Sequence, residues 1–462
     1  MKVLKSPRSR AYLGLALVAA GLAGLALSGD LPHQAARFAS FYGLAGAGFA
    51  LLATCATSLP LGAAIVAAVV LRLIFLPGMP SLSDDYYRYV WDGRVQLAGI
   101  NPYKYRPYEH ALDRVPFAQR DLINHEELRT VYPPLTQAVF LGVALAARAA
   151  RHGTSAGGAA ASGATGGAGV AGAGRASVAA DGGAAASGGL RLEAVLFKLV
   201  FGTFDLATAA AVWWLAAARL RKRAVVLYLL CPAVILQTWE SAHAEAAGVF
   251  FCVLAAALLV RRRDTWAGVA LGAAAAFKVT PLGLLIPALL GRRTSPGRFL
   301  LGFVPAFVIP YVPYAVTGGT FGSLFESGTR WSGGSILFML FARFFSAQTA
   351  RWLALAVFVT SAVWMARSLR GREHTAEAFA WTLTLLVLCL PVVHAWYWLT
   401  PLALGLAAGL WLPLLIGMVT PLTETLPVWV WVARLVGRHP VAALARSGVV
   451  LSTRRALAIL RR

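Results

Sequence analysis

Two adjacent carboxylates, Asp84 and Asp85, follow an apolar run directly and open a stretch rich in aromatic residues. A carboxylate in this position can deprotonate the hydroxyl group of an acceptor, because a neighbouring charge adjusts its pKa for that task. Two carboxylates side by side can also hold a divalent cation. A third interpretation is structural, with Ser83 or Asp84 as the N-cap of a helix that begins at Asp85. The sequence leaves these uses open, and they do not exclude one another.

A single lysine, Lys278, interrupts a second apolar region within Lys278-Val279-Thr280-Pro281. Basic residues flank residues 266–290 on both sides, and this segment is too short for two membrane crossings at roughly 1.5 Å per residue. Because Pro281 removes a helix hydrogen bond, the sequence predicts a short hairpin over 266–290 with Lys278 at its apex. A lysine at that depth costs roughly 2.5–3.5 kcal/mol unless it faces a cavity or a partner. We expect an anionic partner, although Lys278 could instead snorkel to the interface as an end marker.

The elements that must position these residues are membrane helices. Hydrophobic residues make up 58% of the 462 positions, charged residues only 13%, and the mean hydropathy is +0.67. At roughly 20 apolar residues per crossing, the sequence offers about ten to twelve candidate spans. It therefore predicts an all-α polytopic membrane protein with one polar loop domain outside the membrane.

The net charge of +23 is concentrated in short basic clusters at helix ends. This is the pattern of cytoplasmic loops, which also contact anionic headgroups. The expected partners are therefore membrane lipids rather than nucleic acid. The richness in Gly, Ala and Arg is typical of a high-GC bacterium, so we expect an integral multi-pass protein of the bacterial plasma membrane. The four cysteines lie far apart in apolar stretches and suggest neither a disulfide framework nor a metal site.

Two segments divide the chain. Residues 77–134 hold 8 of the 19 acidic residues, and we expect them to form an extracytoplasmic loop that follows N-terminal transmembrane helices at 1–76. Residues 152–190 are almost all Gly, Ala and Ser, which predicts a disordered insertion. It separates a transmembrane helix at 135–151 from further transmembrane helices at 191–462.

The side of the insertion is ambiguous. Counting helices from the loop makes it cytoplasmic, but Arg219–Arg223 would then lie outside, against the charge rule. One of the segments near 135–150 or 192–218 is therefore re-entrant or differently placed.

Several short motifs extend in order from about residue 81 to residue 401. They are Asp84-Asp85, Gly99-Ile100-Asn101-Pro102-Tyr103, Tyr132-Pro133-Pro134-Leu135, Phe197-Lys198 with Phe204-Asp205, Cys231-Pro232, Ser241-Ala242-His243-Ala244-Glu245-Ala246, Phe277-Lys278-Val279-Thr280-Pro281, and His394-Ala395-Trp396-Tyr397-Trp398 with Pro401. Their order resembles the GT-C superfamily of membrane glycosyltransferases. Within it, the chain is similar to glycosyltransferase family 87 and to the mannosyltransferase that adds the first mannose to glycosylphosphatidylinositol precursors. The chain departs from the pattern in its adjacent aspartates, in His243 and Glu245 where relatives have Asn or Asp, and in its insertion.

The resemblance implies a GT-C-like bundle and a glycosyltransferase that moves a hexose, mannose being the expected one, from a polyprenyl-phosphate donor to a hydroxyl of a lipid or glycan acceptor. Inverting transfer needs a base near this hydroxyl and positive groups near the leaving phosphate. Asp84 or Asp85 is the expected base, and no cofactor is implied beyond a divalent cation at this pair. The residues expected to bind the donor phosphate are Lys278, Arg88, Arg330 and His394. The residues expected to line the pocket are Tyr87, Trp91, Asn101, Tyr132, His243, Glu245, Trp396 and Tyr397.

Structural interpretations compete with these roles. Arg88 could pair with Asp84 or Asp92 along one helix face, and Lys198 with Asp205 could form a buried pair between helices. His243 and Glu245 could cap and line a helix turn, His394 could belong to an interfacial aromatic belt, and Gly99–Tyr103 could be a turn that shapes the site. 

Two other function classes fit a polytopic membrane protein. A transporter or lipid flippase would place its ionisable groups in paired broken helices of two related halves, and no second half of this chain resembles the first. A non-catalytic scaffold would have no reason to bring the chemical residues together. An enzyme predicts that Lys278 shares one outward cavity with Asp84 and Asp85, and this separates the three classes.

Overall fold

The computed structural model describes residues 6–162, 176–292, 294–315 and 335–425, and within residues 152–188 it describes the backbone alone. Regular secondary structure in these ranges is helical throughout. The helices are α1 (Pro7–Leu27), α2 (Ala35–Cys55), α3 (Leu61–Leu73), α4 (Asp85–Leu97), α5 (Pro134–Ser162), α6 (Ala176–Leu215), α7 (Ala218–Leu229), α8 (Pro232–Ile235), α9 (Glu245–Val260), α10 (Asp264–Phe277), α11 (Leu285–Leu290), α12 (Pro296–Val308), α13 (Val312–Ala315), α14 (Ile336–Phe344), α15 (Ala347–Ser368), α16 (Thr375–Cys389), α17 (Leu399–Ala408) and α18 (Trp411–Val419).

Five helical segments of the described residues are long and apolar enough to cross a membrane by length and composition. They are Pro7–Leu27, Ala35–Ser58, Gly189–Leu215, Pro296–Ala315 and Ala347–Ser368. Shorter apolar helices stand beside them at Leu61–Leu73, Glu245–Val260, Thr280–Leu290 and Thr375–Cys389. The prediction of an all-α polytopic membrane protein is confirmed. Among the described residues, breaks divide apolar runs such as residues 266–290 into short helices.

The two ends of the bundle differ in chemistry. At one end, which we call the basic end, Arg261 after α9 donates to the carbonyl of Trp214 on α6, and Arg372 before α16 pairs with Asp264 at the start of α10 at 2.7 Å. Helix α10 then runs from this end to Lys278 at the opposite end. We call the opposite end the site end. Arg261 and Arg372 thus lie one helix length away from Lys278.

Helix α5 packs against α4 of the loop region. A methyl group at Gly93 of α4 would collide with the backbone of Phe140 on α5, and Gln137 of α5 donates to Asp92 of α4 at 2.8 Å. If α5 does not cross, α6 runs from the site end to the basic end, and Arg219–Arg223 falls with the other basic clusters. The disagreement between the helix count and the charge rule then disappears.

The low-complexity insertion is only partly described. Helices α5 and α6 continue into residues 152–190, to Ser162 and from Ala176, and residues 163–175 lie outside the described residues. The predicted disorder and the predicted domain boundaries stay predictions.

A buried ion pair ties α3 to α6 inside the bundle. Arg72 donates to Asp205 at 2.7 Å, and both side chains are fully buried. Asp205 also accepts from the hydroxyl of Tyr228 at 3.0 Å and from the indole N–H of Trp239 at 2.9 Å. The suggested pairing of Asp205 with Lys198 is therefore wrong, because the carboxylate is already taken by these donors.

Close helix packing fixes α10, which carries Lys278 at its end. A methyl group at Gly268 of α10 would collide with the carbonyl oxygen of Phe299 on α12, and one at Gly302 of α12 would collide with that of Thr265 on α10. Small residues at such crossings let two backbones approach closely in a membrane, where apolar surface alone provides little driving force. The glycines thus set the position of α10.

Candidate functional site

Asp85 is the first residue of α4, and its carboxylate is held in place by the loop region. The amide of Asn124 donates to one carboxylate oxygen at 2.8 Å. The Ser83 hydroxyl accepts from the Asp85 backbone N–H at 3.3 Å, and Asp84 occupies the N-cap position. A carboxylate in the first helical turn is favoured by the helix dipole. The Ser83 hydroxyl thus binds the first N–H of the helix, as the capping interpretation expects, and the chemical role of the two aspartates stays a prediction.

A strained turn at residues 241–245 faces Asp85. Five residues of π-helix, Leu236–Glu240, end at Ser241, and Ala242 follows with a φ of 55°. This left-handed backbone costs a residue with a Cβ roughly 1–2 kcal/mol, and such strain is often found at functional sites. The backbone N–H of His243 donates to the carbonyl of Gln237 at 3.0 Å, which closes the wide turn. The turn directs His243 and Glu245 to the site end.

His243 is buried beside Asp85 with its ring nitrogens unsatisfied. Its side chain is 1% exposed, and Nδ1 lies 3.9 Å from Oδ2 of Asp85, beyond hydrogen-bond reach. Neither ring nitrogen has a hydrogen-bond partner among the described residues. Burial lowers the pKa of His243 to about 3, so the imidazole is neutral at physiological pH. A neutral imidazole offers one donor and one acceptor, which suits a substrate hydroxyl group.

Lys278 follows the last residue of α10 and points at the same turn. Its Nζ lies 2.9 Å from Oε2 of Glu245, and it sits 4.4 Å from the ring centroid of Tyr397. The prediction of an anionic partner is confirmed, and this partner is Glu245. The lysine side chain as a whole remains 22% exposed.

Stacked aromatic rings connect His243 with the segment that carries Tyr397. The imidazole of His243 stacks on Trp396 with ring centroids 3.8 Å apart, and that of His394 stacks on Trp396 at 4.4 Å. Tyr397 contacts His394 edge to face at 5.6 Å. The segment between α16 and α17 carries His394, Trp396 and Tyr397. The structure thus brings together seven residues that the sequence singled out: Asp85, His243, Glu245, Lys278, His394, Trp396 and Tyr397.

Arg88 and Trp91 do not join this group. Arg88 is 5% exposed, pairs with Asp92 at 2.9 Å and donates to the carbonyl of Leu128 at 3.0 Å. This is the helix-face pairing weighed from the sequence. It directs Arg88 into the loop region, and the assignment of Arg88 to the donor phosphate stays a prediction. Trp91 packs with Phe117 in the core of the loop region, 1% exposed, and so does not line the pocket.

Three other predicted residues, Asn101, Tyr132 and Tyr87, lie in the loop region. Asn101 accepts from the backbone N–H of Tyr103 at 2.8 Å, which makes Gly99–Tyr103 a turn. Burial, and to a smaller extent the charge of Asp85, raise the pKa of Tyr132 well above its usual value, which places this ring within electrostatic reach of Asp85. Tyr87 contacts Tyr86 edge to face at 5.4 Å. Arg330 lies outside the described residues.

Further polar residues near the site escaped the sequence analysis. Gln237 donates to Glu424 at 3.0 and 3.1 Å, and Glu240 accepts from the Ser81 hydroxyl at 2.7 Å. Burial raises the pKa of Glu424 to about 8. Ionisable and amide groups within apolar stretches are costly unless they serve a purpose, and this signal could have marked them.

The described residues do not form a metal site. No group of three or more His, Cys, Asp or Glu side chains in the described ranges could hold a metal ion. Asp85 already accepts a hydrogen bond from Asn124. The predicted divalent cation at Asp84 and Asp85 therefore has no complete protein ligand set there.

Comparison with known proteins agrees with the resemblance. The family model of glycosyltransferase family 87 matches residues 226–393, a little over a third of the chain. The matched range includes His243, Glu245 and Lys278. It is consistent with a GT-C-type enzyme and indicates a glycosyltransferase. No curated protein and no solved structure matches the chain.

Proposed function

We propose that this glycosyltransferase moves a hexosyl group from a polyprenyl-phosphate-linked donor to a hydroxyl of a lipid or glycan acceptor on the extracytoplasmic side of a bacterial plasma membrane. One observation supports this most. The turn at residues 241–245 faces the Asp85 carboxylate through His243 and holds the Lys278 ammonium through Glu245. A base and a cation at one end of the bundle are what transfer from a phosphate ester requires. The sequence resemblance favours mannose as the hexose.

Asp85 is our candidate for the base. Its carboxylate faces the turn, and its charge acts on both His243 and His394. In a single displacement, the acceptor oxygen bonds to the anomeric carbon while the bond from this carbon to the phosphate oxygen breaks. The acceptor proton passes to Asp85, and the polyprenyl phosphate leaves with the electron pair. One displacement inverts the anomeric configuration.

The unsatisfied imidazole of His243 is suited to orient a hydroxyl between itself and Asp85. The gap of 3.9 Å between Nδ1 and the carboxylate oxygen is too long for a direct hydrogen bond. A hydroxyl that bonds to both groups would complete the hydrogen bonding of a buried nitrogen, which is otherwise costly. Positioning of this kind supplies much of the rate enhancement in group transfer.

Lys278 is our candidate for the donor phosphate. Its ammonium has three donors. Glu245 and the Tyr397 hydroxyl are partners for two of them, and the third is proposed to bind a phosphate oxygen. The charges near it are unfavourable on balance, because Asp85 and Glu245 oppose one lysine. Arg330, as the sequence analysis suggested, would add positive charge. No step of this proposal uses a metal ion.

Single replacements of the two aspartates test the proposal. We expect Asp85→Asn to reduce transfer of labelled sugar from a polyprenyl-phosphate donor by roughly 10²–10⁴-fold in isolated membranes, the usual contribution of general base catalysis. Asp84→Asn, which changes the neighbouring carboxylate in the same way, should retain more activity. Full activity in both variants would refute the base assignment. The loss of activity in Asp84→Asn alone would move the base to that residue.

A further inference from the structure

Two buried charged side chains outside the site, Lys198 and Glu240, form hydrogen bonds with the segment that precedes Asp85. We call residues 75–83, between α3 and α4, the connector. From α6, the Lys198 ammonium donates to the carbonyl oxygens of Phe75 and Gly78, each at 2.7 Å. Lys198 is 1% exposed, so its charge is satisfied mainly by the backbone of the connector.

Glu240 holds the other end of the connector. Its Oε1 accepts from both the backbone N–H and the hydroxyl of Ser81, at 2.8 and 2.7 Å. Its Oε2 accepts from the hydroxyl of Ser241 at 2.7 Å, at the start of the turn that carries His243. Glu240 is 5% exposed. One carboxylate therefore links the approach to Asp85 with the turn that faces it.

The free-energy cost of burying the Lys198 and Glu240 charges suggests that they have a function. A buried charge is tolerated only when hydrogen bonds and opposite charges compensate it, and the Glu240 carboxylate also acts electrostatically on Lys198. Apolar packing would hold a connector at lower cost but with less directional control. Both charges make their hydrogen bonds to the connector and to Ser241, which are the segments that carry Asp85 and His243.

We propose that Lys198 and Glu240 are positioning residues, which fix the connector and thereby set the separation between Asp85 and His243. The proposal rests on the catalytic role proposed for Asp85. Lys198→Met and Glu240→Ala should lower kcat by about 10²-fold, the cost of a displacement of about 1 Å. The donor KM should change little, because Lys278 and Glu245 are untouched.

A conservative replacement separates positioning from a direct role of the charge. In Glu240→Gln, the amide oxygen can still accept from Ser81, and the amide N–H can donate to the Ser241 hydroxyl. We expect kcat close to that of the wild type. Lys222→Met is the matched control, because Lys222 also donates to a backbone carbonyl, that of Thr57, but at the basic end. It should leave kcat and KM unchanged.

A measurement independent of activity completes the test. The four native cysteines are buried, so a nitroxide attached at Pro77→Cys would report on the connector alone. Its mobility should increase in the Lys198→Met and Glu240→Ala backgrounds and stay low with Glu240→Gln and Lys222→Met, in protein that elutes as a single species.

The outcomes are distinguishable. Unchanged mobility in both disruptive variants overturns the proposal whatever the activity. Increased mobility with unchanged kcat also overturns it, as does an inactive Glu240→Gln variant with an immobile connector. If the wild type transfers no sugar, the proposed function fails, while the nitroxide still decides whether Lys198 and Glu240 hold the connector.

Discussion

Replacing Lys278 with methionine separates two roles that the structure combines in one side chain. Lys278 neutralises Glu245 at 2.9 Å and is proposed to bind the donor phosphate. Lys278→Met removes both functions. Lys278→Met combined with Glu245→Leu removes the orphaned carboxylate as well, and restores apolar packing in place of the ion pair.

The two roles have separate expected magnitudes. Glu245 is 5% exposed and Lys278 is 22% exposed, so the pair lies between the surface and fully buried cases. Breaking it in Lys278→Met should cost about 1–3 kcal/mol of stability, reduced by about 0.3–1 kcal/mol because the dipole of α9 favours Glu245 at its first turn. The double variant should recover most of this loss. The lost contact with a charged phosphate, about 1.5–3 kcal/mol, raises the donor KM roughly 10- to 150-fold in both variants.

The assay combines initial rates against donor concentration with unfolding in a detergent titration, on protein in one lipid composition. Lys222→Met again serves as the control for a lost lysine. A double variant that regains both stability and a wild-type KM would refute the role in donor binding. Lys278 would then be a structural partner of Glu245 only.

Two further predictions concern stability. Asp205→Ala should cost about 3–5 kcal/mol of stability, because it leaves the fully buried guanidinium of Arg72 uncompensated. The double variant Arg72→Met with Asp205→Leu should lose distinctly less stability in the same detergent titration. Equal losses in the two variants would contradict the charge argument. Because burial lowers the pKa of His243 to about 3 and an exposed histidine titrates near pH 6.5, the unfolded chain binds more protons between these values, so stability falls as the pH decreases below about 6.5. His243→Gln should reduce this acid-side loss by at most about 1.4 kcal/mol per pH unit, and an unchanged slope of stability against pH would contradict the burial of a neutral imidazole.

The sequence predicts the helical class because composition and apolar runs report directly on the solvent that surrounds a helix. It predicts the number of spans less well, because an apolar run that contains a proline can be one crossing or two short helices. Helix α5 is an example: its residue Phe140 packs against Gly93 of α4, and hydropathy alone does not distinguish a face that packs on protein from one that meets lipid.

The candidate site was found from ionisable residues in places where they are costly. This signal pointed to Lys278, the motif resemblance pointed to Glu245, and the structure brings the two together. For Arg88, the sequence offered both a role at the donor phosphate and a pairing with Asp84 or Asp92, and it does not decide between them; the guanidinium pairs with Asp92. The sequence also suggested a pair between Lys198 and Asp205, because their spacing on one helix is visible in it. The competing Arg72 lies on another helix.

The wide turn at Leu236–Glu240 has a consequence for how the chain can vary. An α-helix advances by about 100° per residue, so the single extra residue that a π-turn accommodates sets the rotational phase of everything after it. Deleting one residue there would let the segment close into an ordinary helix while rotating His243 and Glu245 away from Asp85. Sequence length in this short stretch is therefore as constrained as residue identity, whereas α9 beyond it can exchange one apolar side chain for another.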